Sequence, residues 1–295
     1  MNRTTRTLPR ATLVSLLTVL LAAGCGSANT TDGATISKTV NRYVALGDSY
    51  SAGPGLRPST NAGCFRSGAD YGSQVAKSLH VKAFTDVTCS GATTSDLVNG
   101  QTVNGAVVNA PQLNAVSANT DLVTIGIGLN DNGLSYNLLY ACLPQTGQTA
   151  ACAAYLSEPD SVVSTTVSAV ATSVTAAITS IRTRAPHARI VLVGYPQILP
   201  TTGDCAAVLP LTGAAAARLR TVLRLTDDAY RQLASDQKVD YVSTYRLSAG
   251  HSACSASPWI NGVADASAAG QGAAIHPKPA YMTAVARAIE DLVGR

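Results

Sequence analysis

Charge is scarce in this sequence. Lys, Arg, Asp and Glu make up only 13% of its 295 residues. Three of the arginines, Arg3, Arg6 and Arg10, stand in the first ten residues, so the formal net charge of +4 falls to +1 for the chain from Cys25 onward. No run of Lys or Arg occurs, and the electrostatic footprint of a nucleic-acid partner is missing. Aromatics are equally sparse at 5%, with one tryptophan and two phenylalanines, so there is no obvious stacking platform for sugars. No cysteine or histidine spacing matches a zinc site. The 24 glycines and 13 prolines are too few for general disorder. What is abundant is small and apolar: 46% of the chain is hydrophobic, mostly Ala and Val, with Thr frequent beside them. A chain of this length can bury a sizeable core as one α/β domain.

The N-terminus carries a leader pattern. Residues 1–10 are basic, Ala11 to Ala23 form an apolar run, and Ala22-Ala23-Gly24-Cys25 follows. This reads as a secretory signal peptide over residues 1–24. The run is shorter than the roughly 20 residues that a membrane-spanning helix needs. The Gly24-Cys25 ending resembles a bacterial lipobox, with Ala22 where leucine is usual. The expectation is a diacylated Cys25 that anchors an exported protein stably on the outer side of the membrane. Plain secretion is the alternative. Residues 25–40 are small and polar and read as a flexible tether, leaving 41–295 as the folded domain.

With Cys25 set aside, six cysteines remain: Cys64, Cys89, Cys142, Cys152, Cys205 and Cys254. An even number in an exported chain argues for three disulfides, with fifteen connectivities open. Pairing neighbours in order, 64–89, 142–152 and 205–254, is the preferred arrangement.

Apolar runs give five strands: Tyr43–Leu46, Val81–Val87, Asp121–Ile127, Ala188–Val193 and Val239–Val242. Helical spacing falls at Asp70–Leu79, Ser161–Arg184, Leu211–Leu233 and Pro279–Val293. Segments near 132–160 and 244–275 read as loops stapled by cysteines. Strands alternating with helices predict a mainly parallel sheet covered on both faces. In such sheets ligands bind at the carboxyl ends of the strands, and the informative residues should follow the strands.

They do. Gly47-Asp48-Ser49 follows the first strand and places a serine at a sharp turn into a helix. A serine hydroxyl needs a base before it becomes a nucleophile. Of the four histidines, His80 and His187 end helical segments and read as surface residues. His251 lies in the cysteine-bounded loop before Cys254. His276 precedes Pro277 at the start of the last helix, where a ring can be held over the sheet edge. Acyl transfer also needs donors for a developing oxyanion. The backbone N–H groups of Ser49 and Gly91 and the side-chain amide of Asn130 stand after three successive strands. Each of these residues alone also suits an ordinary turn; their joint placement is the signal. Asp48 and Asp131 read as loop braces that accept backbone N–H bonds.

Tyr43–Gly53 (YVALGDSYSAG) resembles the first block of the GDSL/SGNH hydrolase family. Cys89–Thr94 resembles the second, Gly128–Asp131 the third and His276-Pro277 the last. The cysteine pattern and Pro258–Gly262 (PWING) are similar to the actinobacterial secreted esterase and lipase branch. The resemblance implies a flavodoxin-like three-layer α/β/α sandwich with no cofactor and no metal. It implies ester hydrolysis through an acyl-enzyme on Ser49, with His276 as general base. One position departs from the family pattern: the aspartate common three residues before the histidine is Ala273 here. The backbone carbonyl of Ala273 is expected to orient the imidazole, with slower turnover or a higher pH optimum as the consequence; Asp265 is the nearest upstream carboxylate. The leading substrate class is lipid or simple acyl esters. The alternatives are a polysaccharide or cell-wall O-acetyl esterase, a non-catalytic surface lipoprotein, and a flavodoxin-like phosphate or flavin binder.

Overall fold

A computed structural model describes residues 39–134, 139, 141–144, 147–211, 213–263 and 270–294. Cys25, nearly all of the tether and Asp265 lie outside the described residues. The strands are β1 (Arg42–Gly47), β2 (Ser59–Asn61), β3 (Arg66–Ser67), β4 (Ala83–Asp86), β5 (Gln101–Val103), β6 (Ala106–Asn109), β7 (Leu122–Gly126), β8 (Arg189–Val193) and β9 (Asp240–Val242). The helices are α1 (Ser49–Ala52), α2 (Tyr71–Ser78), α3 (Asp96–Asn99), α4 (Thr149–Ser157), α5 (Asp160–Arg184), α6 (Gly213–Gln237), α7 (Thr244–Leu247) and α8 (Pro279–Val293).

Five parallel strands make the central sheet, in the order β4–β1–β7–β8–β9. Every residue of β7 and all but the first of β1 and β8 are buried. That two-sided burial is why these strands read as continuous apolar runs rather than alternating ones. Helices α2 and α8 pack together as one pair, and α5 and α6 as another. The chain therefore has the three-layer α/β/α architecture, with the core between sheet and helices.

The long α5 is rich in β-branched residues, which are poor helix formers. Two features offset this. Val163, Val167, Val170, Val174, Ile178 and Ile181 recur at helical spacing and are buried. On the outer side, hydroxyls such as those of Thr165, Thr172 and Thr179 donate to the carbonyl four residues back at 2.9–3.0 Å.

Three disulfides join Cys64 to Cys89, Cys142 to Cys152 and Cys205 to Cys254. The segment 132–160, read as a loop from sequence, contains the helix α4, which carries Cys152. Two small antiparallel hairpins, β2–β3 and β5–β6, escaped the sequence reading because each strand is only two to four residues long.

The end of β1 is a place where only glycine fits. Gly47 pairs with Gly126 of β7 and has φ +155°. A Cβ there would stand 2.3 Å from Ser51 Oγ and 2.6 Å from the Gly126 carbonyl. Gly47→Ala is expected to lower unfolding free energy by about 1–3 kcal/mol, the usual cost of overpacking, read from urea denaturation. Unchanged stability would mean that the turn can shift to make room.

Candidate active site

The loops after β1, β4 and β7 converge at the carboxyl edge of the sheet. Gln112, fully buried, holds the first of them: its Oε1 accepts the Gly47 N–H at 2.8 Å and its Nε2 donates to the Gly47 carbonyl at 3.0 Å. Asp48 then caps α1, accepting the Tyr50 N–H at 2.9 Å. Ser49 opens that helix and is 7% exposed. Being the first helical residue, its N–H has no intrahelical acceptor.

The second loop is held by its backbone. The Cys89 N–H donates to the Gly47 carbonyl and the Ser90 N–H to the Cys64 carbonyl, both at 3.0 Å. Gly91 follows in a left-handed conformation, φ +78°. Among the described residues, no protein acceptor takes the N–H of Ser49 or of Gly91. Orphan donors at one site call for an explanation, and an anionic oxygen between them is one.

Asn130 ties the third loop to the second, its Nδ2 donating to the Ala92 carbonyl at 2.9 Å and fixing the amide plane. Asp131 accepts the Thr94 N–H at 2.9 Å and meets the Thr94 hydroxyl with its other oxygen. Both aspartates that follow these strands thus brace loops. Tyr195, which no local pattern marks out, joins the first loop to the third. Its hydroxyl receives the Leu129 N–H at 3.1 Å and donates to Asp48 Oδ2 at 2.5 Å.

His276 lies just ahead of α8. Its Nδ1 is 2.7 Å from the carbonyl of Ala274. With the proton on Nδ1, as that carbonyl requires, Nε2 is left as the acceptor. The expected partner, the Ala273 carbonyl, is corrected by this geometry. That carbonyl is committed to the turn, accepting the His276 backbone N–H at 3.2 Å. The intervening Ile275 has φ +59°, a costly value for a β-branched residue. Tyr50 holds this turn in place: its hydroxyl donates to the Ile275 carbonyl at 2.7 Å, and its ring centre is 5.4 Å from that of the imidazole.

The other histidines stand apart. His80 and His187 are exposed. His251 stacks on Trp259 with ring centres 4.2 Å apart. The backbone N–H of Trp259 donates to the His251 carbonyl at 2.9 Å, and the stacked pair braces its own loop.

Ser49, Gly91, Asn130 and His276 line one cavity of about 540 Å³. Leu129, Leu139, Leu143 and Val263 make apolar walls, and Phe65, 64% exposed, stands at the rim. No Lys or Arg among the described residues lines it. Burial holds His276 below the ordinary histidine pKa, and the Ala274 contact offsets this only in part. The base form therefore persists further into acid. Burial also pushes Asp48 up to about 7, against the opposing pull of the Tyr195 and Tyr50 hydrogen bonds.

Residues 45–284 match the model of the GDSL-like lipase/acylhydrolase family. Lipase 2 of Streptomyces coelicolor is 35% identical over 230 residues, 74% of this chain and 75% of that protein. A lipase of Streptomyces rimosus is 32% identical over 227 residues, 75% of this chain and 76% of that protein. Among solved structures, phospholipase A1 from Streptomyces albidoflavus NA297 aligns with a TM-score of 0.65 at 24% identity, covering 86% of this chain and all of that one. The extracellular lipase from Streptomyces rimosus aligns at 0.63 with 27% identity, covering 84% and 99%.

Two outcomes follow from the loop geometry. Tyr50→Phe keeps the ring but leaves the Ile275 carbonyl unpaired; unfolding free energy should drop by about 1–3 kcal/mol. Its kcat/KM on a soluble ester should fall about tenfold, the equivalent of 1.4 kcal/mol; wild-type values in both would mean that the hydroxyl does not hold the histidine turn. Asp48 binds its proton more tightly folded than unfolded between the ordinary 3.8 and about 7. Its contribution to stability therefore falls as pH rises through that window. Asp48→Asn should flatten this fall in urea midpoints compared at about pH 4.5 and about pH 8; an equally steep fall in the variant would assign it to other groups.

Proposed function

The chain belongs to the GDSL-like lipase/acylhydrolase family and is a carboxylic-ester hydrolase, and on that premise we propose that it works through an acyl-enzyme on Ser49 with His276 as general base. The observation that carries the proposal is the shared cavity of Ser49, Gly91, Asn130 and His276. In the first step Ser49 Oγ attacks the ester carbonyl while His276 Nε2 takes its proton. The carbonyl oxygen, now anionic, is met by the N–H groups of Ser49 and Gly91 and by the Asn130 amide. The tetrahedral species collapses, His276 returns the proton to the departing alcohol, and water repeats the sequence to release the acid.

The Ala274 carbonyl fixes the tautomer of His276. Being neutral, it stabilises the transient imidazolium less than a carboxylate does, so turnover is slower than in relatives that have the acid. The apolar walls receive an acyl chain, and a lining without Lys or Arg among the described residues suits a neutral ester better than a phosphate. The apolar walls favour lipid or simple esters over a sugar acetate. The basic-then-apolar leader ending at Cys25 supports export, with a lipid anchor on that cysteine.

Hydrolysis of p-nitrophenyl esters from acetate to palmitate tests this reading. Ser49→Ala should remove activity to background, and kcat/KM of the wild type should hold its plateau to below the ordinary histidine value before the acid limb begins. Residual turnover in Ser49→Ala close to wild type would reject the serine mechanism. An acid limb above the ordinary value would reject His276 as the buried neutral base.

A further inference from the structure

The N–H of Gly91 and the C=O of Ser90 belong to one peptide unit. In a trans peptide the two point in opposite directions, so whatever holds the carbonyl also aims the N–H. Gln101 holds it: its Nε2 donates to the Ser90 carbonyl at 2.8 Å. Gln101 opens β5 and is 7% exposed. Its amide lies against the turn, since a Cβ on Gly91 would stand 3.5 Å from that same nitrogen. The hairpin carrying it is itself pinned, with Asn109 Nδ2 donating to the Val87 carbonyl at 2.8 Å. The two backbone N–H groups before Gly91 are committed, that of Cys89 to the Gly47 carbonyl and that of Ser90 to the Cys64 carbonyl, and the Cys89 sulfur is in its disulfide. The Gly91 N–H is left, and Gly91 lines the cavity.

We propose that Gln101 is a positioning residue for the oxyanion hole, acting through the Ser90–Gly91 peptide. It does two things. It fixes the plane of that peptide so that the Gly91 N–H points into the cavity before substrate arrives. It also draws electron density from the peptide by donating to its oxygen, which makes the N–H a stronger donor. The inference rests on the Ser49 acyl-transfer reading.

The test uses the full chain and two substrates, p-nitrophenyl acetate and its thionoester. A thiocarbonyl sulfur accepts hydrogen bonds weakly, so the thionoester gains little from the hole. In Gln101→Leu, kcat on the oxygen ester should fall about 10- to 100-fold with KM nearly unchanged, and the thionoester rate should fall much less. Equal losses on both substrates, or no loss, overturn the proposal, because a merely structural role would not change the ratio. If Gln101→Leu does not fold, Gln101→Glu keeps the shape. Its neutral carboxyl can donate to the Ser90 carbonyl and its carboxylate cannot. The oxygen-ester rate relative to the thionoester should then decline as pH rises through that titration; a ratio flat with pH overturns the proposal. An unsubstituted chain that hydrolyses neither substrate overturns the Ser49 reading itself, whereas an active chain with an unaltered ratio in the variants removes only Gln101.

Discussion

The carboxylate of Asp48 is the group on which the site turns. It is 1% exposed and sits where β1 ends. One oxygen takes the Tyr50 N–H and so begins the helix that presents Ser49. The other takes the Tyr195 hydroxyl, which receives the N–H of Leu129, next to Asn130. A single buried acid thus sets the Ser49 loop against the loop that carries Asn130. Burying a carboxylate is costly unless it is well bonded. The raised pKa of Asp48 shows that its hydrogen bonds repay only part of that cost. The sheet supplies the remainder, through the large apolar surface buried on both of its faces.

Around that acid, polar side chains from distant segments do for irregular backbone what neighbouring strands do for a strand. Gln112 meets both polar groups of Gly47, 65 residues away in sequence. Asp131 reaches the Thr94 turn across 37 residues. Tyr50 reaches the Ile275 turn across 225. Buried backbone groups must find partners, and where a loop cannot pair with itself a long polar side chain supplies them. The Cys64–Cys89 disulfide adds a covalent restraint on the loop that bears Gly91. Closing a loop of that length removes about 3 kcal/mol of unfolded-state entropy. The result is a preorganised set of donors, the property that catalysis of acyl transfer demands.

A neutral peptide carbonyl, not a carboxylate, stands beside His276 Nδ1. The Ala274 carbonyl orients the ring without adding a charge to a cavity walled by leucines. The strain at Ile275 is the geometric consequence: the chain must turn sharply for a carbonyl two residues back to reach the ring, and Tyr50 keeps it turned.

The sheet strands and long helices were legible in the sequence because their physics is local. A run such as Leu122–Gly126 is apolar but for Thr124 since both faces are covered, and α6 and α8 repeat their buried residues every three or four positions. That Ser49, Gly91, Asn130 and His276 would come together was legible because each follows a strand or precedes a helix at the carboxyl edge of the sheet, and they do line one cavity. The short hairpins were not, as a strand of three residues has no period to detect. Nor were Tyr195, Gln112 and Gln101, ordinary residues with no local pattern, whose partners are chosen by chain segments that meet only after folding. The choice between the Ala273 and Ala274 carbonyls was equally beyond reach. It depends on a left-handed residue between them, and that conformation is set by tertiary packing, not by the preferences of isoleucine. The sequence by itself determined the order of the sheet strands and long helices and the chemical identity of the groups that line the cavity. Only the tertiary structure decided how those groups are aimed, because aim is fixed by hydrogen bonds between residues far apart along the chain.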